Sequence, residues 1–578
     1  MTAAAPDAEK MITVGDRLVP ISQIAGFECR HVIESMHPNG IDDLHLVKEY
    51  VHFKDGTKES NLRFLYNHPR SFWITKPGFR NHKDKKEYEE LERLQEYKTN
   101  QAKLPDKISR ALTGRPVGRD RLRDLAKSPY LYGCDIQMSS LIKKAYQDKY
   151  PKCVSPSASV AVFDIETDVV NGTGEVIVAT LSFKDRCFTA VSGRFIKDGL
   201  DTEAVLQKMA QKHLGETLQK RGTKIEFALV PDGVEAIVQC FKKAHEWRPD
   251  FVVVWNINYD IPFCVKKLED AGVDPAQVFS DPSVPEEYRY FKYREGPKMK
   301  VTQSGKKTPL SPAERWHTAD CPASFYLIDA MCLYYSLRIA KGKEPSYSLD
   351  AVLNKHIGLG KLSLPEVDHL DGLDWHKEMQ RNHRYFYVIY NVFDCIGVEL
   401  LDDKNGDVAR QFPILCGISD YGLFKRNPRR IVDDLHFFYM DRGKVIGSTG
   451  SEVEDENDSH VVGLRGWIVT LPANLVVNNG AAIILGLENI RSMLRYHLAD
   501  LDIEGTYPTN QVVMNISKKT TLMEVVEIRG IPEATTRKIG INISGGVSNS
   551  VEICSQVYGL PTLSEWIPLA QEHMKRAA

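Results

Sequence analysis

Two stretches of this chain are apolar at almost every position. One is 159–163, through Val160, Ala161, Val162 and Phe163; the other is 251–255, through Phe251, Val252, Val253, Val254 and Trp255. A short apolar run without alternation predicts a strand covered on both faces, as in a sheet with helices on either side. Each run leads directly into polar groups: Asp164 and Glu166 after the first, Asn256, Tyr259 and Asp260 after the second. A third segment, 385–401, is apolar or aromatic on nearly every helical face and carries Tyr390 and Asp394 four residues apart, hence on one side.

Carboxylates sunk in hydrophobic runs are costly unless something positive compensates them. Asp164 and Glu166 alternate along a strand and so share a face, where two like charges repel unless a cation bridges them. Each acid also has an ordinary structural explanation. Asp164 and Glu166 could mark a strand end emerging into solvent. Asp260 could cap a helix over 261–272 with Pro262 in its first turn. Asp394 could be satisfied by a hydrogen bond from Tyr390. All three would have to hold together for the set to be accidental. Four acids converging without a Lys or Arg among them point instead to two hard divalent cations, Mg²⁺ or Mn²⁺, the usual apparatus for phosphodiester hydrolysis.

At 578 residues the chain exceeds one core, and 42% hydrophobic with 26% charged residues is ordinary for a globular protein. A net charge of −2 excludes bulk electrostatics as the route to nucleic acid, so local patches must serve. Two are present. The stretch 103–127 has eight Lys/Arg against three Asp, and 292–307, including Lys298, Lys300, Lys306 and Lys307, has six against one Glu. Either could follow phosphates or be a solvated surface. The N-terminus lacks a signal pattern and no apolar run reaches about 18 residues, so no membrane partner and a cytoplasmic location are expected. Eleven cysteines without paired spacing read as reduced core thiols.

The expected fold class is a multidomain α/β protein. Residues 1–155 form a mixed α+β N-terminal domain with a long charged helix over about 83–103. Residues 156–402 alternate buried strands (159–163, 175–181, 251–255, 325–328) with amphipathic helices. Residues 403–460 are a helical connector and an acidic loop returning to the N-terminal domain. Residues 461–535 are a further small domain with strands at 466–469 and 498–503, and 536–578 a tail with a short helix near 563–576.

These motifs resemble the DEDD exonuclease superfamily in the form carried by family B DNA polymerases, particularly the T-even-like phage type. Phe163-Asp164-Ile165-Glu166 is similar to the first exonuclease motif. Trp255-Asn256 through Asp260-Ile261-Pro262 is similar to the second, with Asn256 one residue closer to the Asp than usual. Tyr390 and Asp394 have the spacing of the third. The resemblance implies an RNase H-like exonuclease domain with a mixed central sheet. In it Asp164, Glu166, Asp260 and Asp394 ligate two metals, one activating water and one stabilising the leaving 3′ oxygen, with Tyr390 holding the water. It also implies DNA contacts from Asn256, Tyr259 and the lysines of 292–307.

Asp502-Ile503-Glu504-Gly505-Thr506-Tyr507-Pro508-Thr509 resembles polymerase motif A, with Gly505 and Thr506 in place of the usual Ser-Leu. That likeness makes Asp502 a palm metal ligand, Tyr507 the nucleotide-binding steric gate, and 461–535 a partial palm, with 536–578 the start of the fingers or a partner-binding tail. Neither the fingers motif nor an Asp-Thr-Asp hairpin follows Asp502, and only 76 residues remain. The expectation is therefore the amino-terminal subunit of a split polymerase. It would bind a single-stranded 3′ end and a primer-template, and synthesise DNA only with a second polypeptide carrying motifs B and C. The competing expectations are a free-standing 3′→5′ exonuclease and a non-catalytic nucleic-acid-binding scaffold.

Overall fold

The computed structural model describes residues 10–448, apart from 16, 84, 117–121, 197–201, 302–306, 361, 363, 368 and 371, together with 475–478, 481–484, 513, 541–542 and 547–548. The chain packs as two units, Met1–Ser451 and Glu452–Ala578. In the second, the described strands form two short antiparallel hairpins, Leu475–Asn478 with Ala481–Ile484 and Ile541–Asn542 with Val547–Ser548. Asp502, Tyr507, Lys306, the expected strands 466–469 and 498–503, the acidic stretch beyond Ser448 and the helix at 563–576 lie outside the described residues.

The first unit is mixed α/β. Its central sheet has six strands: β1 (Val160–Thr167), β2 (Val176–Phe183), β3 (Arg186–Ser192), β4 (Lys224–Val230), β5 (Phe251–Val254) and β6 (Tyr326–Asp329), in the order β4-β3-β2-β1-β5-β6. β2 runs antiparallel to β1 and β3, whereas the β1–β5, β5–β6 and β3–β4 pairs are parallel. The helices of this region that bear on the site are α1 (Thr202–Arg221), α2 (Gly233–Trp247), α3 (Ile257–Asp270), α4 (Ala330–Arg338), α5 (Leu349–Ile357), α6 (Gly372–Asn382) and α7 (Arg384–Asn405).

The uninterrupted apolar runs find their cause here. One sheet face, with Val162, Val178 and Val253, packs on α1, α5 and α7 through Leu206, Leu353, Ile389 and Val392. The other, with Phe163, Ile165 and Val254, packs on α2 and α3 through Ile237, Phe241, Ile261 and Leu268. All four β5 side chains are fully buried. Each such side chain contributes about 1.5–3 kcal/mol of hydrophobic stabilisation, so the strand has no face on which a polar residue would be tolerated.

Ahead of this layer lie a three-stranded antiparallel sheet, Ile24–Met36, Asp43–Phe53 and Lys58–Tyr66, and a second sheet of Arg70–Thr75, Leu94–Thr99 and Leu131–Tyr132. The long helix expected over 83–103 is not there. That stretch holds strands Tyr88–Glu90 and Leu94–Thr99 joined by a single 3-10 turn. The first pairs with Lys444–Ile446 and the second with Arg70–Thr75, so partners distant in sequence override local helix preference.

A buried charge cluster pins the N-terminal strands to the residue preceding β5. Asp250 accepts hydrogen bonds from the Ser159 amide (2.8 Å), the Tyr50 hydroxyl (3.0 Å) and Arg30 Nη2 (3.3 Å), with Lys48 Nζ 2.9 Å away. Burial alone would raise the Asp250 carboxyl, but Lys48 and Arg30 hold it far below the usual carboxylate range. Among the described residues no helix is long and apolar enough to cross a membrane.

Candidate metal centre

Three elements bring the acids together. β1 presents Asp164 and Glu166 toward α7, on the face it shares with Val162. A register shift against β2 falls between Glu166 and Thr167, just past the second acid, where irregularities of pairing re-aim side chains. α7 contributes Asp394, and carboxylate oxygens of Asp164, Glu166 and Asp394 lie within 4.8 Å of one another. Asp260, 4% exposed on α3, lines the same cavity of about 800 Å³, as do Tyr390, Asn256 and Tyr259.

Asp260 does not cap its helix. α3 begins at Ile257, four residues earlier than the spacing of Pro262 suggests, so Pro262 sits inside the helix. The reason is Asp329, at the end of β6. Its carboxylate accepts the Ile257 amide at 3.1 Å and the Cys332 amide at 2.7 Å, capping α3 and α4 together. Asp260 is thereby left one turn in, with its carboxyl in the cavity wall. Burial, reinforced by Glu166 and Asp329, pushes its pKa well above the ordinary range. Asp329 itself is raised to about 7 by burial, against the amide bonds that favour its ionised form.

The carboxylates are oriented from α7. Asn391 Nδ2 donates to Asp164 Oδ2 at 2.7 Å, the Tyr387 hydroxyl donates to Glu166, and Tyr390 is hydrogen-bonded to Asp394. Burial, then Asp394 and the acids of β1, drives the Tyr390 phenol far above its ordinary pKa, so it stays protonated. Tyr387, Tyr390, Asn391 and Asp394 are spaced at i, i+3, i+4 and i+7 and form one stripe of the helix. Only Tyr390 and Asp394 were singled out in the sequence. The same stripe could have found the other two, whereas nothing local points to Asp329.

All the donors in this set are hard oxygens, Asn391 and Tyr387 are neutral partners of two of them, and among the described residues no Lys or Arg lines the cavity. Asp164, Glu166 and Asp394 could hold a metal ion, and a divalent cation that prefers oxygen fits them.

Asn256 stands at the α3 N-terminus without a side-chain cap bond. Tyr259, 41% exposed, meets Thr167 Oγ1 at 2.9 Å and packs on Phe263. The three described lysines are elsewhere. Met299–Val301 and Lys307–Pro309 form an exposed hairpin, Lys298 pairs with Glu295 at 3.1 Å, and Lys298, Lys300 and Lys307 do not line the cavity. Comparison with models of known protein families and with curated proteins returned no match.

Proposed function

We propose that this chain is a two-metal 3′→5′ exonuclease acting on single-stranded DNA ends, the exonuclease-bearing amino-terminal part of a family B DNA polymerase. The observation that carries the reading is the convergence of Asp164, Glu166 and Asp394 within 4.8 Å, with Asp260 buried in the same cavity. The mixed sheet, parallel through β1, β5 and β6 and extended by antiparallel β2, is compatible with the RNase H-like fold that the sequence likeness implies. A cavity of about 800 Å³ has room for a terminal nucleotide.

In this reading Asp164, Glu166, Asp260 and Asp394 hold the cations, Mg²⁺ or Mn²⁺. When bound, such ions supply a nucleophile at neutral pH and stabilise charge on the leaving oxygen. Tyr390 keeps its proton and orients a water beside Asp394. Asn391 holds the Asp164 carboxylate in place before substrate arrives. Asn256 and Tyr259, at the cavity rim, contact the strand end. The reading assigns DNA synthesis to an assembly in which Asp502 and Tyr507 act with motifs B and C of a second polypeptide, and editing to that same assembly.

The test is digestion of 5′-labelled single-stranded DNA by the purified chain with Mg²⁺ or Mn²⁺. Progressively shorter labelled products are expected, and none from the Asp164→Ala/Glu166→Ala variant with an unchanged circular dichroism spectrum. Undiminished digestion by that variant would remove the assignment. Added nucleotides should give no extension from the chain alone.

A further inference from the structure

Tyr387 occupies a position that the exonuclease reading does not use. Its hydroxyl lies between Glu166 and two groups of α6: it donates to Glu166 Oε2, His376 Nδ1 is 2.8 Å away, and Gln380 Nε2 is 3.3 Å away. A phenol has one proton to give and two lone pairs to receive with. With that proton committed to Glu166, the Gln380 amide and His376 Nδ1 must both be donors, so the imidazole carries its proton on Nδ1. Every hydrogen-bonding site of the hydroxyl is then filled, and its direction toward Glu166 is fixed.

The donors are themselves held. The Gln380 amide spans the end of β1, donating to Thr167 O at 2.8 Å and accepting from the Val169 amide at 3.0 Å. It bonds the backbone one and three residues past Glu166 as a neighbouring strand would. The Tyr387 ring is parallel to Tyr390, with centroids 5.8 Å apart and planes 6° apart, and Trp375 of α6 packs on Tyr390 at 4.9 Å. α6 therefore grips both the strand carrying Glu166 and the phenol that orients it.

Resting on the exonuclease reading above, we infer that Tyr387 is a positioning residue that fixes the Glu166 carboxylate for divalent-cation binding, with His376 and Gln380 of α6 setting the direction of its hydroxyl. It needs no contact with DNA. Groups that hydrogen-bond a metal ligand in this way typically change metal affinity by about 10- to 100-fold when removed.

The experiment measures Mn²⁺ binding to the full chain without DNA, by the electron paramagnetic resonance signal of free Mn²⁺. Tyr387→Phe keeps the ring and its stack on Tyr390 and removes only the hydroxyl. The expected result is Mn²⁺ affinity lowered by about 10-fold in a chain that keeps its circular dichroism spectrum in EDTA. The decisive arm is a double-mutant cycle with Glu166→Gln: if Tyr387 acts through Glu166, the hydroxyl's effect disappears in that background. Wild-type affinity in Tyr387→Phe, or an equal loss with and without Glu166, would overturn the inference. Because binding is read without substrate, failure of the nuclease assignment is a separate outcome: wild-type chain that binds Mn²⁺ yet leaves DNA intact.

Discussion

Removing one charge from the acid cluster should make the metal-free protein more stable and the metal-bound protein less so. In Asp164→Asn the remaining oxygen can still accept the Asn391 amide, so that hydrogen bond survives the loss of charge. Asp164 faces Glu166 and Asp394 at no more than 4.8 Å between ligand oxygens. At an effective dielectric constant of about 20, unit charges at that separation repel by about 3.5 kcal/mol. Asp164 and Glu166 are half-buried, so solvent and proton uptake relieve most of this, leaving about 1–2 kcal/mol to be released. For a chain of this size that corresponds to a melting temperature higher by about 1–2 °C. Cation at about 100 times its dissociation constant stabilises the wild type by about 2.7 kcal/mol, which the variant should largely forgo. Scanning calorimetry in EDTA and in Mn²⁺ should therefore show the two proteins exchanging rank. A variant that melts below the wild type in EDTA, or that keeps the full Mn²⁺ gain, would refute the reasoning.

Other outcomes follow from the same structure. Asp250→Asn leaves Lys48 and Arg30 buried without their shared anion and should cost about 3–5 kcal/mol in urea denaturation. Because the folded Asp250 carboxyl is depressed, its contribution is complete above the unfolded value near pH 4 and lost as pH falls below it, so the variant's stability should fall less steeply in acid. Asp329→Ala removes the acceptor for two helix-initiating amides, a loss of about 1–2 kcal/mol for each. Asp329 is raised to about 7, so the folded state keeps a proton that the unfolded state releases near pH 4; wild-type stability should fall as pH rises through that window, and denaturation of the variant at pH 5, 6 and 7 should lack this slope.

Much of the central layer was legible because burial on both faces leaves a plain mark. The runs leading to Asp164 and Asn256 are polar at Ser159 alone, and they fall on β1 and β5. α7 was legible for the same reason. β3 and β4 were missed: their alternation is weaker, with Arg186 and Glu226 among apolar neighbours. The errors share a cause, which is partners far away in sequence. The charged stretch near Tyr88 looked helical because Lys444–Ile446 could not be foreseen. The start of α3 was misplaced because its cap comes from Asp329, 72 residues beyond Ile257. For the site, the acids announced themselves by being costly where they stand. Tyr387 and Asn391 did not, since an aromatic and an amide on a buried helix need no special excuse.

The pairing of Tyr88–Glu90 with Lys444–Ile446 has a consequence for how the protein is made. A ribosome adding about 5–20 residues per second needs about 20–70 s to travel from one strand to the other. Throughout that interval the earlier strand waits with its amides and carbonyls unclaimed, an invitation to neighbouring nascent chains. Two consecutive glutamates, Glu89 and Glu90, lie on that waiting edge. Their mutual repulsion with any second copy discourages adhesion until the rightful mate emerges.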